Sequence, residues 1–344
     1  MKNKAVVIQS PQKLQVIDLP IGIPAADEVL VRIHYVALCG SDKKLYAGTY
    51  TAPHKYPLII GHEWVGEVIQ AGVEASAKWL PGDIVTGDCS LYCGSCSFCD
   101  ANNKNHCLNV KKKGIMVDGA CAQHIIVNQR HLYHCPVLPD IKALALTEPM
   151  AVAVESIINR IPPNKLNKVR QALIIGAGGI GIMALLGLLE QGIPEITIAD
   201  MSPEKLAVVD SFGFSNVTTV LANFSDANNR LTGHFDLAVE AAGNADALTK
   251  IIELANPCGQ IVCIGHQQKL TLDFGLIMKK SLTISANIGS TGGFEQALKI
   301  ISHYSPHINK IISRVLTLET INTYFTSEIS SMKDIKVLID LHSS

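Results

Sequence analysis

Between Gln171 and Asp200 the chain spells out a unit that few folds accommodate. Gln171-Ala172-Leu173-Ile174-Ile175 is an almost continuous apolar run, and Gly176-Ala177-Gly178-Gly179-Ile180-Gly181 follows it without a spacer. A helical run then continues through Leu189, and Ile196-Thr197-Ile198-Ala199 ends on Asp200, 19 positions beyond Gly181. A continuous hydrophobic stretch suits a strand buried on both faces, so the pattern predicts a parallel strand–helix–strand unit. The glycines permit a tight turn and let the backbone approach a pyrophosphate resting on the helix N-terminus. An acid at the end of the second strand accepts from ribose hydroxyls. Gly176, Gly178, Gly179, Ile180, Gly181 and Asp200 are therefore expected to bind a dinucleotide. Asp200 would repel a 2′-phosphate, and Met201 and Ser202 supply no compensating arginine, which favours NAD over NADP. Lys205, one helical turn on, is a candidate contact of the cofactor; its alternative is a solvated face of the helix Pro203 to Phe212.

Further strand–turn units follow. Phe235 to Glu240 leads to Ala242-Gly243-Asn244, and Gln260 to Ile264 leads to Gly265. This alternation predicts a doubly wound parallel sheet. Gly243 and Gly265, at strand ends, either face the cofactor or make plain turns. A strand over Ser281 to Ile288, a helix over Phe294 to His303 and a last strand over Lys336 to Asp340 complete the expectation.

The first half has a different character. Lys4 to Ile8 and Glu28 to Val36 read as strands, separated by Pro20, Gly22 and Pro24, which predicts a β-rich small barrel or sandwich. The 344 residues exceed the usual size of one domain, so two are expected, and 48% hydrophobic residues supply ample core. The formal charge is −1, with no polybasic block, which argues against nucleic acid and membrane surfaces as partners. Lys111-Lys112-Lys113 reads as a solvated loop. Met1 to Ser10 has no extended apolar stretch of the export type, and no run approaches the ~18 apolar residues of a membrane span. Ten cysteines then fit a reducing cytoplasm, and five of them, Cys89, Cys121, Cys135, Cys258 and Cys263, read as core or strand residues outside any metal spacing.

Four of those cysteines, Cys93, Cys96, Cys99 and Cys107, are separated by two, two and seven residues in a segment poor in hydrophobic residues. A turn and a short loop can gather them around one ion. Tetrahedral thiolate coordination suits zinc and leaves no position open, so this is a structural staple. A disulfide framework is the alternative, disfavoured by the spacing and the compartment. Cys39, in Leu38-Cys39-Gly40-Ser41-Asp42, His62 and Glu63, in Gly61-His62-Glu63-Trp64, and Glu148, before Pro149, are donor types for a second, open zinc site. Taken singly, each has an ordinary reading: a buried cysteine as a small hydrophobe, a glutamate before proline as a surface cap.

In order, Cys-Gly-Ser-Asp, Gly-His-Glu, a four-cysteine loop, Glu-Pro and a glycine fingerprint resemble the zinc-dependent medium-chain dehydrogenase/reductase family over essentially the whole chain. The polyol, cyclitol and threonine dehydrogenase branch is most similar; Asp118-Gly119-Ala120-Cys121-Ala122-Gln123-His124 matches one of its strands, with Gln123 in place of the usual glutamate. The resemblance implies a GroES-like β-rich catalytic domain over 1–153 and 291–344, with a structural zinc loop at about 89–110, and a Rossmann domain over 154–290. It implies two zinc ions and interconversion of an alcohol and a ketone by hydride transfer. Cys39 and His62 become ligands of the catalytic zinc. Glu148 or Glu63 completes the set, or the two exchange through a water; Asp42 orients His62.

The resemblance further implies that Ser41 takes the substrate proton and passes it towards the cofactor ribose. The relay's usual histidine is replaced by Lys44, which either carries protons, meets an acidic substrate or the cofactor, or is solvated. Tyr46, Tyr50 and His54 lie on the loop expected to cover the pocket. A polyol or cyclitol is the expected substrate, with threonine-like amino alcohols and simple alcohols as alternatives, and a homodimer or homotetramer is the expected assembly. A dinucleotide-binding relative without catalysis is a different class, against which the complete ligand set and Ser41 argue.

Overall fold

Gln171–Ile175 becomes a central strand of a six-stranded parallel sheet. Its order is Val217–Leu221, Glu195–Asp200, Gln171–Ile175, Phe235–Glu240, Ala255–Cys263, Thr283–Ala286. Numbered along the chain, that order is 3-2-1-4-5-6, the doubly wound arrangement that places a ligand at the carboxyl ends of the strands. Leu173, Ile174 and Ile175 are fully buried, as a strand covered on both faces requires. The apolar helix Gly179–Glu190 follows directly, with eight of its residues buried.

The computed structural model describes residues 2–223, 231–266, 270–328 and 333–342. They fall into two units, Met1–Glu148 with Ser290–Ser344, and Pro149–Gly289. The first is β-rich. One sheet pairs Lys13–Pro20, Lys2–Ser10 and Leu58–Ile59; another has the path Leu132–His134, Ile84–Gly87, Glu63–Ala71, Glu28–Ala37, Lys336–Asp340, Ile312–Leu316, with His124–Asn128 also on Glu28–Ala37. Alternate residues of these strands meet in one core that includes Ile33, Trp64, Trp79, Tyr324 and Phe325.

The register of three strands positions the site. Ala37 lies opposite Glu63 on one side and Leu338 on the other. A residue at the start of the last strand therefore comes close to a residue at the start of Glu63–Ala71, although 273 positions separate Lys336 from Glu63.

Some elements depart from the expected bounds for identifiable reasons. The strand expected over Ser281 to Ile288 is only Thr283–Ala286, because Ser281 adopts φ +51° to close the preceding helix, Phe274–Lys280. The helix from Phe294 runs on to Lys310, kinked at Tyr304, where Pro306 interrupts the hydrogen-bond ladder. Glu148 lies in the first turn of the helix Thr147–Ala153, which continues into a wider turn over Val154–Ile158.

Candidate metal centres and dinucleotide site

Cys96 caps the short helix Ser97–Asp100, which contains Cys99, and Cys107 closes the turn Lys104–His106. With Cys93 they bring four Sγ atoms within 4.8 Å of one another. The separations Cys93–Cys107, Cys96–Cys99 and Cys96–Cys107 are 3.5, 3.6 and 3.9 Å. A tetrahedron of Zn–S bonds of about 2.3 Å has edges of about 3.8 Å, so the sulfurs already stand near its corners. Backbone N–H groups of Cys93 and Asn109 donate to Cys107 Sγ at 3.3 and 3.4 Å. The Ser95 backbone and Cys107 bring the Cys93 thiol down to about 5, and backbone donors at Leu108 and Cys99 lower Cys96. Burial pushes the Cys99 thiol the other way, up to about 11, so the lobe favours the thiolate at Cys93 and Cys96 and leaves Cys99 to be deprotonated by an ion. Reciprocal bonds between Asn105 and the Thr291 backbone, 2.9 and 3.1 Å, anchor the lobe.

The second cluster is assembled from distant segments. Cys39 occupies the N-cap of the helix Gly40–Ala47, and the Asp42 carboxylate accepts its backbone N–H at 2.8 Å. The other Asp42 oxygen accepts the Gly61 N–H at 3.3 Å. Gly61 has φ +91°, and a Cβ there would come 2.6 Å from Val36 Cγ1, so the turn that delivers His62 requires glycine. Ligand atoms of Cys39, His62 and Glu63 lie within 4.8 Å of one another and could hold a metal ion. His62, Glu63 and Glu148 are buried.

Asp42 does not orient His62 through the imidazole, as expected; its oxygens are taken by two backbone donors. His62 Nδ1 is buried without a hydrogen-bond partner among the described residues. Asp42 acts one level earlier, by fixing the backbone that carries both donors. Burial alone would lower the His62 pKa, but Cys39, then Asp42 and Glu148, raise it to about 10. This donor set attracts a cation. Such chemistry fits a zinc ion.

The two carboxylates are held differently. Glu63 receives both its oxygens' contacts from Lys336 Nζ, at 2.7 and 2.5 Å, with both side chains buried. Burial opposes the charged lysine, but the Glu63 carboxylate raises the ammonium's pKa above its ordinary value. Glu148 Oε1 instead accepts from the Cys89 thiol at 3.2 Å.

Ser41 Oγ is buried and makes no hydrogen bond among the described residues. Lys44, by contrast, is exposed near the end of Gly40–Ala47 and makes no hydrogen bond or ion pair to the cluster among the described residues. Tyr50 is half-buried beside the cluster; burial, then Cys39, Cys89 and Asp42, push its phenol up. His54 packs edge-on against Tyr50, with ring centres 5.7 Å apart, whereas Tyr46 is a core residue against Phe325.

In the second unit, two fingerprint glycines have internal reasons. Gly176 has φ +108°, and a Cβ on Gly181 would lie 1.8 Å from the Gly176 carbonyl oxygen. Gly178 has none: a Cβ there would meet nothing within 4 Å. It caps the helix Gly179–Glu190, so open space lies where the helix N-terminus presents unpaired N–H groups. That opening fits a pyrophosphate. Gly179 and Ile180 form the first turn of this helix. Asp200 ends its strand, where it accepts Ala177 N–H at 2.7 Å and Ser202 N–H at 2.8 Å. Lys205 is half-buried in the helix Pro203–Asp210, its backbone capped by Ser202 Oγ. Gly243 and Gly265 pack on each other, a Cβ on Gly265 falling 2.3 Å from Gly243 N, so a packing reason exists for both without a cofactor.

Three residues escaped the sequence reading. Lys336 reads there only as the start of a strand. Cys89 reads as core, and nothing in its neighbourhood points to Glu148. Glu240 was seen as a strand end, yet it is fully buried and caps the following turn by accepting from Ala242 and Gly243 N–H at 2.9 and 2.8 Å. The signal available was the rarity of a charged residue at the end of an apolar strand. The run at Lys111 is also no uniform solvated loop: Lys111 is exposed, but Lys112 Nζ bonds Ser90 Oγ at 2.5 Å and Lys113 is buried, which brings its pKa down to about 8.

Known proteins share this arrangement. Residues 25–137 match the alcohol dehydrogenase GroES-like domain and residues 179–303 the zinc-binding dehydrogenase family. An uncharacterized zinc-type alcohol dehydrogenase-like protein of Haemophilus influenzae is 30% identical over 332 residues, 94% of each chain. An L-threonine 3-dehydrogenase of Coxiella burnetii is 29% identical over 77% of this chain and 78% of its own, and a sorbitol dehydrogenase of Halalkalibacterium halodurans 26% identical over 92% of each. Among solved structures, galactitol-1-phosphate dehydrogenase from Escherichia coli superposes with a TM-score of 0.84 at 26% identity, covering 98% of this chain and 100% of that one. A short chain alcohol dehydrogenase of E. coli CFT073 complexed with NADH has a TM-score of 0.85 at 23% identity, covering 99% of each. The β-rich unit with its two clusters and the parallel sheet with its fingerprint thus have one common explanation: the chain belongs to the zinc-binding alcohol dehydrogenase family, and it is an oxidoreductase.

Proposed function

We propose that the protein is an NAD-linked dehydrogenase that interconverts a secondary alcohol, of the polyol, sugar alcohol or cyclitol class, with its ketone. The observation that carries the reading is the thiol–imidazole–carboxylate cluster of half-buried Cys39 with buried His62 and Glu63, next to which Glu148 is also buried. In it, Cys39, His62 and Glu148 hold a catalytic zinc, and Cys93, Cys96, Cys99 and Cys107 hold a structural one. Glu63 stays with Lys336, because withdrawing it would leave a buried ammonium unpaired at a cost of several kcal/mol. Glu148 loses only a weak thiol donor when it turns to a metal. That difference supports Glu148 over Glu63 as the third ligand.

Bound zinc would supply a Lewis acid that makes a substrate hydroxyl ionise near neutral pH. Ser41, whose buried hydroxyl lacks a partner among the described residues, accepts the proton released there and passes it on. Tyr50 and His54 shape the approach to the cluster. In the other unit Gly176, Gly178, Gly179, Ile180 and Gly181 cradle the pyrophosphate, and Asp200 accepts from the ribose hydroxyls of NAD and repels the 2′-phosphate of NADP. Gly243 and Gly265 stand at the strand ends where the remainder of the cofactor would lie, and Lys205 sits beside Asp200 on the next helix. The ten free cysteines support a reducing cytoplasm, and a homodimer or homotetramer is the assembly we expect. No helix among the described residues is long and apolar enough to cross a membrane.

The test is to follow NADH formation with a panel of polyols, cyclitols, L-threonine and simple alcohols, each with NAD and NADP. Turnover of a polyol or cyclitol with NAD at a kcat/KM at least tenfold above NADP supports the reading. Turnover of L-threonine alone would move the assignment to an amino alcohol, the alternative supported by the relatives of that name. Absence of turnover from a fully metallated protein would leave a dinucleotide-binding relative without catalysis.

A further inference from the structure

Cys89 lies one residue beyond the strand Ile84–Gly87 and Asp88, and only 6% of its surface is exposed. Its thiol points at Glu148 Oε1 at 3.2 Å. Around it the chain has built a polar pocket. Ser290 Oγ stands 3.8 Å from Cys89 Sγ and donates to Asp88 Oδ1 at 3.3 Å; Ser90 Oγ is 3.9 Å from the same sulfur. Ser90 also accepts from Lys112 and donates its backbone N–H to Asp88 Oδ1 at 2.8 Å. The Glu148 carboxylate is itself buried, and no other hydrogen bond fixes its side chain among the described residues.

A carboxylate with one weak donor is held in place without being captured. We propose that Cys89 is a positioning residue for the catalytic metal: its thiol steers Glu148 towards the Cys39–His62 pair and keeps that carboxylate available to the ion. The contrast is with Glu63, whose charged partner Lys336 removes it from competition. A neutral S–H donor does the opposite, since it aligns the oxygen and yields to a cation. Partners of this kind behind a ligand typically contribute about 10–100-fold in metal affinity or activity.

The inference rests on Glu148 being the third ligand, and the experiment separates the two claims. The holoprotein and its Cys89→Ala, Cys89→Ser, Glu148→Ala and Cys89→Ala/Glu148→Ala variants are exposed to a fixed concentration of chelator, and the release of each zinc equivalent is timed. Thermal midpoint and the kcat and KM of the best substrate are read in parallel. Cys89→Ala should release the more labile zinc about tenfold faster, with the loss in kcat rather than KM and an unchanged thermal midpoint. Cys89→Ser, which keeps an O–H donor, should restore most of it. The double variant should release zinc no faster than Glu148→Ala alone, because two residues acting through one contact are not additive. Wild-type release from Cys89→Ala, or additive losses in the double variant, would overturn the role of Cys89 while leaving Glu148 a ligand. Wild-type release from Glu148→Ala would overturn the ligand assignment itself, and the positioning role with it.

Discussion

The two candidate metal clusters of this chain solve the same problem in opposite ways. In the four-cysteine lobe, 15 consecutive residues supply every donor, and the sulfurs are partnered by one another and by backbone N–H groups of the same lobe. In the Cys39–His62 cluster the candidate donors come from three separate segments, and groups outside the cluster hold them: Asp42 the backbone of Cys39 and Gly61, Lys336 the Glu63 carboxylate, Cys89 that of Glu148. A closed site needs only to satisfy its ion. An open site must also keep its shape when substrate comes and goes, and the surrounding partners supply that rigidity.

The comparison can be broken most forcefully at the ligands. Cys39→Ser should reduce turnover by more than ~100-fold, beyond the usual effect of an outer partner, with the thermal midpoint unchanged. Cys96→Ser should instead lower the midpoint on the order of 10 °C, since the lobe loses its ion and has little core. Activity and differential scanning calorimetry on the two variants distinguish the roles; full activity and stability in both would refute the division.

Next in size is the buried ion pair. Lys336→Met leaves the Glu63 carboxylate without its partner and should destabilise the protein by about 3–5 kcal/mol in denaturant unfolding. Lys336→Met/Glu63→Gln should recover most of that. An equally unstable double variant would show that Lys336 acts by packing alone.

The split between local and distant coding also explains what could be read in the sequence. The cysteine spacing, the strand–glycine–helix unit and Asp200 are local patterns with a physical reason, and the structure places each as a loop, turn or strand end accordingly. Cys39, His62 and Glu148 have no local pattern that joins them; only the motif order of a known family brought them together. Lys336 lies beyond even that, because its partner is set by the register of three strands around Ala37. Asp42 was assigned to His62 because a side-chain acceptor for the ring N–H of a metal-binding histidine is usual; the backbone donors at Cys39 and Gly61 are invisible in sequence. Lys113 was misread for the same reason: a lysine in a basic run has a bland reading that only burial corrects.

Smaller effects sharpen the picture of the lobe's surroundings. Burial, then Arg130, Lys113 and Lys104, lower the His131 pKa from 6.5 to about 4. Between those values the unfolded chain binds a proton that the folded chain refuses, so stability is full above pH 6.5 and is lost as the pH falls towards 4. His131→Asn should flatten that part of the stability profile, by at most about 3 kcal/mol. A parallel profile in the variant would show that His131 does not contribute. Smallest of all, Lys44→Ala should change kcat by less than about twofold and stability by less than ~0.5 kcal/mol, because the side chain is solvated. A large loss of kcat would return Lys44 to the proton relay.

The most direct measurement is zinc per chain, by elemental analysis, for the wild type, Cys39→Ser and Cys96→Ser purified without chelator. Two independent sites predict values near two, one and one, with the remaining zinc of Cys39→Ser resistant to chelator and that of Cys96→Ser labile. A wild-type value that stays at one after remetallation, or two tightly held ions in Cys39→Ser, would contradict the account of an open catalytic centre beside a closed structural one.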